Sequence, residues 1–583
     1  MTEYFEVRHR DGAARVGELA LSDPIRTPGL VGDALADAGS LWAADRSVPE
    51  GSADALTVLP HRAFPPGTPS GVQEAFDVPA PEIDGPSAAV VSRATVGERG
   101  TDAYVLSGAS ELIGHARAFV ETLIAVRAAI PDDAALYLPG VATPGNVGLL
   151  AYAGVDLVDA DRATLLGTEG RYLTATDETF LEDRRELPCA CSACQSSRED
   201  FDREDCADHN VRALAAELAT VRERIRTGRL REYLEGQARH FPWVTAALRR
   251  FDETQFVRER APLFRQSQLL ATTDDSLFRP TVQRFADRVG ERYENRFEDV
   301  PLLIVPCSAG KPYSDSQSHR QFQDAARYRA HKVSLTAPLG VVPQELELTY
   351  PAQHYDAAVT GDWSETEISV IANRLEALLD RTDYDRIVAH VHPGGEREIV
   401  ERAVAGRETP VEYTVEDHPT TGDSLAALRS ALEGERSIRV EEKERATIRA
   451  IADYQFGAGA GEALFPDFEL QGRYPRLQML SPEGEQLAAL VPQYGTLALT
   501  LAGARAWDER PVPTKRVAID DFQPHGSVLA PGIEAADDAI RVGDEVLIEG
   551  PSAFGIGRAT MHGTAMEASS RGEAVDVRHV TDR

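Results

Sequence analysis

Short apolar runs alternate with amphipathic stretches along the first 240 residues. Ala103-Tyr104-Val105-Leu106 precedes a helical pattern from Glu111 to Ala129, and Ala135-Leu136-Tyr137-Leu138 precedes another over Asn146 to Ala153, before Val155-Asp156-Leu157-Val158. That rhythm predicts parallel β/α units closing into a barrel. The pattern is helical from about His209 to Arg292, and 241–295 reads as a helical connector. From Val300 a second α/β pattern begins: strand 301–305, helix about 315–330, strand 332–336, helix 365–380, strand 386–391, helix 395–404 and strand 411–414. This order predicts a doubly wound sheet over 296–436. The charged stretch Glu433 to Glu444 marks a boundary, 437–511 reads as a small α+β domain, and glycine turns between short strands predict a small β-barrel over 512–583. With the barrel over 1–240, the expected fold class is α/β and multidomain, as 583 residues require.

Hydropathy narrows the setting. No run of about 18 apolar residues is available for a membrane span, and the opening Met1 to Arg8 lacks the basic and apolar regions of a signal peptide. A cytoplasmic protein without membrane association is expected. Five cysteines, four of them clustered, argue against a disulfide framework.

The net charge of −33 would ordinarily count against a nucleic-acid partner. Its make-up changes that inference. Of 61 basic residues only Lys311, Lys332, Lys443 and Lys515 are lysine, against 94 acidic side chains, a composition resembling that of proteins from extreme halophiles. At salt of about 1 M the screening length is about 3 Å, so RNA binding must lean on shape, stacking and short arginine contacts.

Two clusters carry chemistry. Cys189, Cys191 and Cys194, followed by Cys206 and His209, form C-x-C-x2-C-x11-C-x2-H. Zinc prefers four tetrahedral sulfur or nitrogen ligands, so one of the five is spare, either Cys206 or His209, and four protein ligands imply a structural Zn2+. The second cluster is Pro306-Cys307-Ser308-Ala309-Gly310-Lys311-Pro312-Tyr313-Ser314-Asp315-Ser316, directly after the apolar run 301–305. A loop leaving a strand in an α/β fold gathers backbone N–H groups, which would stabilise a thiolate at Cys307. Its polar neighbours exceed what a core strand end needs.

Together these segments resemble the archaeal relatives of tRNA-guanine transglycosylase, and among them the archaeosine synthases. Leu138-Pro139-Gly140-Val141-Ala142-Thr143-Pro144-Gly145-Asn146 looks like transglycosylase barrel sequence, and the cysteine cluster looks like that family's zinc region. Ala452 to Glu462 and Gly472-Arg473-Tyr474-Pro475-Arg476 resemble the segment before a PUA domain, and Ala530-Pro531-Gly532 with Gly543-Asp544 the RNA-binding PUA domain itself. The motif P-C-x3-K-P-Y-x2-S, which separates archaeosine synthases from transglycosylases, is matched by Pro306, Cys307, Lys311, Pro312, Tyr313 and Ser316. Neither barrel aspartate of the transglycosylase is placed with its flanking motif.

The resemblance implies a degenerate transglycosylase-like barrel and zinc ligands Cys189, Cys191, Cys194 and His209, with Cys206 as the alternative. It implies tRNA bearing 7-cyano-7-deazaguanine in its D-loop as substrate. L-lysine or glutamine is the nitrogen donor, a radical-SAM partner subunit acts on the lysine adduct, and a homodimer is expected. On this reading Cys307 attacks the nitrile carbon, Lys311 lowers the thiol pKa or orients a phosphate, and Tyr313 or Ser316 protonates the nitrogen. The alternative is direct attack by the amine, with Cys307 lining the pocket. Ser308, Asp315, Glu345, His354 and Asp356 are expected substrate-binding groups, because strand carboxyl ends gather at one edge of a doubly wound sheet. The turn His390-Val391-His392-Pro393-Gly394-Gly395 reads as structural. Two other functions compete: an active transglycosylase, and a non-catalytic tRNA-binding subunit.

Overall fold

The computed structural model describes residues 3–39, 50–62, 64, 67–76, 81 and 83–583. Met1 and Thr2, which open the stretch read for a signal peptide, lie outside them. The chain forms two compact units, one of Met1–Ala261 with Leu529–Ile533 and Met561–Ala574, the other of Pro262–Val528 with Glu534–Thr560 and Val575–Arg583.

In the first unit seven strands form one sheet in the order Gly29–Leu30, Leu157–Val158, Ala135–Leu138, Ala103–Leu106, Ser87–Val91, Leu56–Val58, Leu35–Asp37. Every pairing is parallel. The two end strands are joined directly by residues 31–34. Five virtual bonds of about 3.8 Å reach at most about 19 Å, whereas a flat seven-stranded sheet would hold its edges about 29 Å apart at the usual spacing. The sheet therefore curls into a barrel-like shape, as the apolar rhythm predicts.

The stretch expected to be one helical connector is divided. Val244, Ala247, Leu248 and Phe251 form an i, i+3, i+4, i+7 stripe on the helix Pro242–Glu253, and this stripe joins the first unit's core with Phe119 and Leu123. The strand Leu269–Ala271 and the helix Pro280–Arg292 belong to the second unit.

The second unit is built on a five-stranded sheet ordered Gly340–Pro343, His331–Thr336, Leu302–Pro306, Ile387–Ala389, Val411–Tyr413. Four strands are parallel and the edge strand Gly340–Pro343 is antiparallel. One face packs Leu303, Val305 and Val388 on Phe322, Ala325 and Leu428 of the helices Gln317–Ala326 and Gly422–Ala431. The other packs Leu302 and Ile304 on Ile371 and Leu375 of Glu365–Arg381 and Ile399 of Gly395–Ala403. Helices on both faces make the expected doubly wound domain.

A four-stranded antiparallel sheet, Glu469–Arg473, Arg476–Leu480, Gln486–Val491 and Thr496–Leu499, follows the helix Val440–Phe456. The C-terminal six-stranded sheet runs from Arg516–Ile519 to Glu573–Asp582. Among the described residues, no helix is long and apolar enough to cross a membrane.

Candidate active site

All five residues of Leu302–Pro306 are buried, as a central parallel strand covered on both faces requires. Pro306 lacks an N–H, and pairing to the next strand ends there, at Leu335. From this central strand the chain passes first to His331–Thr336 on one side and later to Ile387–Ala389 on the other. That reversal is the topological switch point of the sheet, and Cys307 stands at its carboxyl edge.

The loop after Cys307 is ordered by a chain of hydroxyls. Tyr313 is buried, and its hydroxyl lies 2.5 Å from that of Tyr355, which also bonds Thr336 Oγ1 at the end of the neighbouring strand. Lys311 Nζ sits 3.8 Å above the centre of the Tyr355 ring, a cation–π contact. Burial raises the Cys307 thiol above its ordinary pKa, with the charge of Glu396 adding, while Thr336 and Lys311 pull the other way. The resting group is therefore the thiol, contrary to the expectation of a stabilised thiolate. Burial outweighs what the loop supplies, and the next α-helix begins only at Gln317, where Ser316 Oγ accepts the His319 amide. Burial also lowers the Lys311 ammonium, opposed by Cys307 and Asp356.

The expected residues divide between the edges of the sheet. Ser308 is half-buried beside Cys307. Asp356, exposed on the strand Tyr355–Ala357, acts on Lys311. Asp315 is exposed 3.8 Å from Arg320, and Ser316 is the N-cap of Gln317–Ala326, its hydroxyl accepting the His319 amide at 3.3 Å. His354 is exposed, and its backbone carbonyl accepts the Leu269 amide at 3.0 Å.

Glu345 is not brought to Cys307. The strand Gly340–Pro343 runs back antiparallel, so Glu345 reaches the amino end of the sheet and meets His331 Nε2 and the Tyr293 hydroxyl, each at 3.2 Å. Burial would raise its carboxyl, but the charge and hydrogen bond of His331, with the bonds from the backbone and Gln344, together hold it low. The same edge borders an acidic cleft of about 700 Å³ lined by Glu294, Glu298, Asp299, Asp383 and Asp385, away from the thiol.

A carboxylate that the sequence pattern does not single out is the one whose charge acts on Cys307. Glu396 is 6% exposed in the first turn of Gly395–Ala403 and accepts the His392 amide at 2.8 Å. Burial pushes its pKa up to about 7. The turn before it is structural in its first histidine: His390 is buried, bonded to Thr414 Oγ1 and the Pro419 carbonyl, each at 2.8 Å, and lowered to about 4 by burial. The available signal was position, an acidic residue at a helix start after a strand of the same sheet.

In the first unit the ligand atoms of Cys189, Cys191, Cys194 and His209 lie within 4.8 Å of one another, and the group can hold a metal ion. His209 Nδ1 is 3.5 Å from Cys191 Sγ and 3.4 Å from Cys194 Sγ, while Nε2 donates to the Leu173 carbonyl at 2.9 Å. That bond fixes the tautomer that leaves Nδ1 free to ligate. Tyr172 stacks on the ring at 3.8 Å. Cys206 is fully buried in the same cluster as Cys194 and Tyr172 and is not among the four residues whose ligand atoms come together.

Four family models match the chain in order: queuine tRNA-ribosyltransferase over 88–242, a domain of unknown function over 282–432, the patch-forming domain C2 of tRNA-guanine transglycosylase over 446–513, and the PUA domain over 515–581. Archaeosine synthase of Haloferax volcanii is 57% identical over the full length of both chains. The chain belongs to the archaeosine synthase family. The archaeosine synthase subunit alpha of Methanosarcina acetivorans is 43% identical, again over the whole of both chains. A tRNA-guanine(15) transglycosylase of Methanothermobacter thermautotrophicus is 28% identical over 79% of this chain and 68% of its own. The chain is thus a tRNA-modifying transferase, and its Cys307 loop falls inside the domain of unknown function.

Proposed function

We propose that the chain forms the amidine of archaeosine on tRNA by adding an amine to the nitrile of 7-cyano-7-deazaguanine, with Cys307 as covalent nucleophile. The observation that carries this reading is Cys307 at the switch point of the sheet, with Lys311, Thr336 and the buried Glu396 around it. The thiol loses its proton to the Glu396 carboxylate as sulfur bonds the nitrile carbon. One π pair of the C≡N bond moves to nitrogen, which takes a proton and leaves a neutral thioimidate. The Lys311 ammonium, or the Tyr313–Tyr355–Thr336 hydroxyl chain, supplies that proton. The donor amine then adds to the same carbon, the C–S bond breaks, and the sulfur leaves as thiolate to be reprotonated. The product is a substituted amidine, and no oxidant or reductant enters.

L-lysine is the preferred donor and glutamine-derived nitrogen the alternative. A lysine adduct requires later cleavage by a radical-SAM partner, and a homodimer is the expected assembly. Cys189, Cys191, Cys194 and His209 suit Zn2+, whose closed Cys3His set gives it a structural role. Ser308, Asp315 and Asp356 are the substrate-binding groups of this reading.

Mass spectrometry of nitrile-bearing tRNA incubated with the chain and either lysine or glutamine at high salt tests the reading. A mass gain with wild type, lost in Cys307→Ala while tRNA binding persists, is the expected result. Unaltered modification by Cys307→Ala removes the covalent step.

A further inference from the structure

Behind the Cys307 loop lies a set of buried polar groups that the mechanism leaves unused. Glu347 follows the turn Gln344–Leu346 and is 2% exposed; Lys332, on His331–Thr336, is 5% exposed. Glu347 Oε2 accepts the Ser314 amide at 2.9 Å, which ties this carboxylate to the loop itself. Its other oxygen, Oε1, is buried with no partner. The Lys332 ammonium makes no hydrogen bond or ion pair among the described residues, although Glu347 is the strongest charge acting on it. Burial lowers it to about 8. His319, 1% exposed, donates from Nε2 to the Pro306 carbonyl at 3.0 Å, stacks on Tyr313 at 4.9 Å, and leaves Nδ1 buried and unpartnered.

A buried carboxylate oxygen without a donor is costly, and a lysine whose stem is buried while its ammonium has no acceptor gains nothing to offset its lost hydration. Opposite charges kept only for stability would close into an ion pair. Here each retains unfilled capacity of opposite sign near the other, the complement of a zwitterion. Composition points the same way: in a chain with only four lysines, two of them, Lys311 and Lys332, lie around this loop, and Lys443 acts on Lys332 as well. Tyr313 lies within electrostatic reach of both Cys307 and Glu347, so it bridges the thiol and this cluster. Burial and the charge of Glu347 raise the hydroxyl pKa of Tyr474, at the tip of the hairpin Glu469–Leu480, above its ordinary value.

We propose that Glu347 and Lys332 bind the head group of the free α-amino acid that supplies nitrogen, Glu347 receiving the α-ammonium and Lys332 the α-carboxylate, with the side chain directed along Tyr313 toward Cys307. The proposal rests on the amidine-forming reading above and adds the donor subsite to it.

Calorimetry on the full chain at high salt, without tRNA, uses L-lysine, L-glutamine, cadaverine and Nα-acetyl-lysine as probes. Wild type binds one of the two free amino acids, and which one identifies the donor. If the donor is lysine, cadaverine and Nα-acetyl-lysine each bind at least about tenfold more weakly, the scale of one lost charge-assisted hydrogen bond. Glu347→Gln weakens amino-acid binding by about tenfold or more, and Lys332→Met abolishes discrimination against cadaverine. Binding unchanged in both variants overturns the proposal, as does a wild type that holds neither amino acid or, with lysine as donor, takes cadaverine equally. The wild-type probe series needs no variant, so it decides the matter even where a variant misfolds. Adduct formation on tRNA reports separately on Cys307, so the subsite can fail while the reaction stands.

Discussion

At Cys307 the governing fact is that burial favours the thiol, so catalysis needs a base that works near neutrality. Glu396, held at about 7 by burial, meets that need only when ionised. Because a carboxylate accepts a proton only above its pKa, adduct formation is expected to rise with pH through about 7. Glu396→Gln should lose that rising limb and slow the reaction by about 10²–10⁴, the usual weight of a general base. A pH–rate profile unchanged in the variant would remove Glu396 from the chemistry. The sequence made Cys307 and Lys311 legible because both lie in one short motif. It could not reveal Glu396, which stands 89 residues away from Cys307 along the chain and arrives through strand order. Glu345 was misplaced for the converse reason, since an antiparallel edge strand returns its end to the other side of the sheet.

Elements decide what two further residues do. Ser316 matched the motif, yet its hydroxyl caps the helix Gln317–Ala326. Ser316→Ala should cost about 1 kcal/mol of stability, whereas Ser316→Asn, another good cap, should retain both stability and adduct formation. Thermal melts paired with the tRNA mass assay separate this from a proton-donor role, which Asn could not fill. In the metal region the helix Arg203–Arg226 carries Cys206 and His209 at its start, and only His209 faces the three cysteines. Elemental analysis should find one zinc per chain in wild type and in Cys206→Ser, and loss of it in His209→Ala. Retention in His209→Ala would mean another ligand set. The apolar periodicity marked most strands of the doubly wound domain within one or two residues. It merged the helices on either side of residue 261, because a break between two cores leaves no trace in hydropathy when helices flank both sides.

For the whole molecule, a net charge of −33 makes self-repulsion a standing cost of compactness. Screening shortens its range from about 30 Å at about 0.01 M salt to about 3 Å at about 1 M. The melting temperature should therefore climb with potassium chloride from about 0.1 M to beyond 1 M, and a flat profile would separate the acidity from stability. The division of the chain has a consequence for how it can be taken apart. Residues 529–533 and 561–574, inside the span matched by the PUA model, belong to the first unit, while their flanks belong to the second. Met561, Ala565 and Met566 are buried there. No single cut frees one unit from the other, and a stop codon placed to delete the RNA-binding module would also strip residues from the barrel unit. Removing the C-terminal module is therefore a change to both units at once.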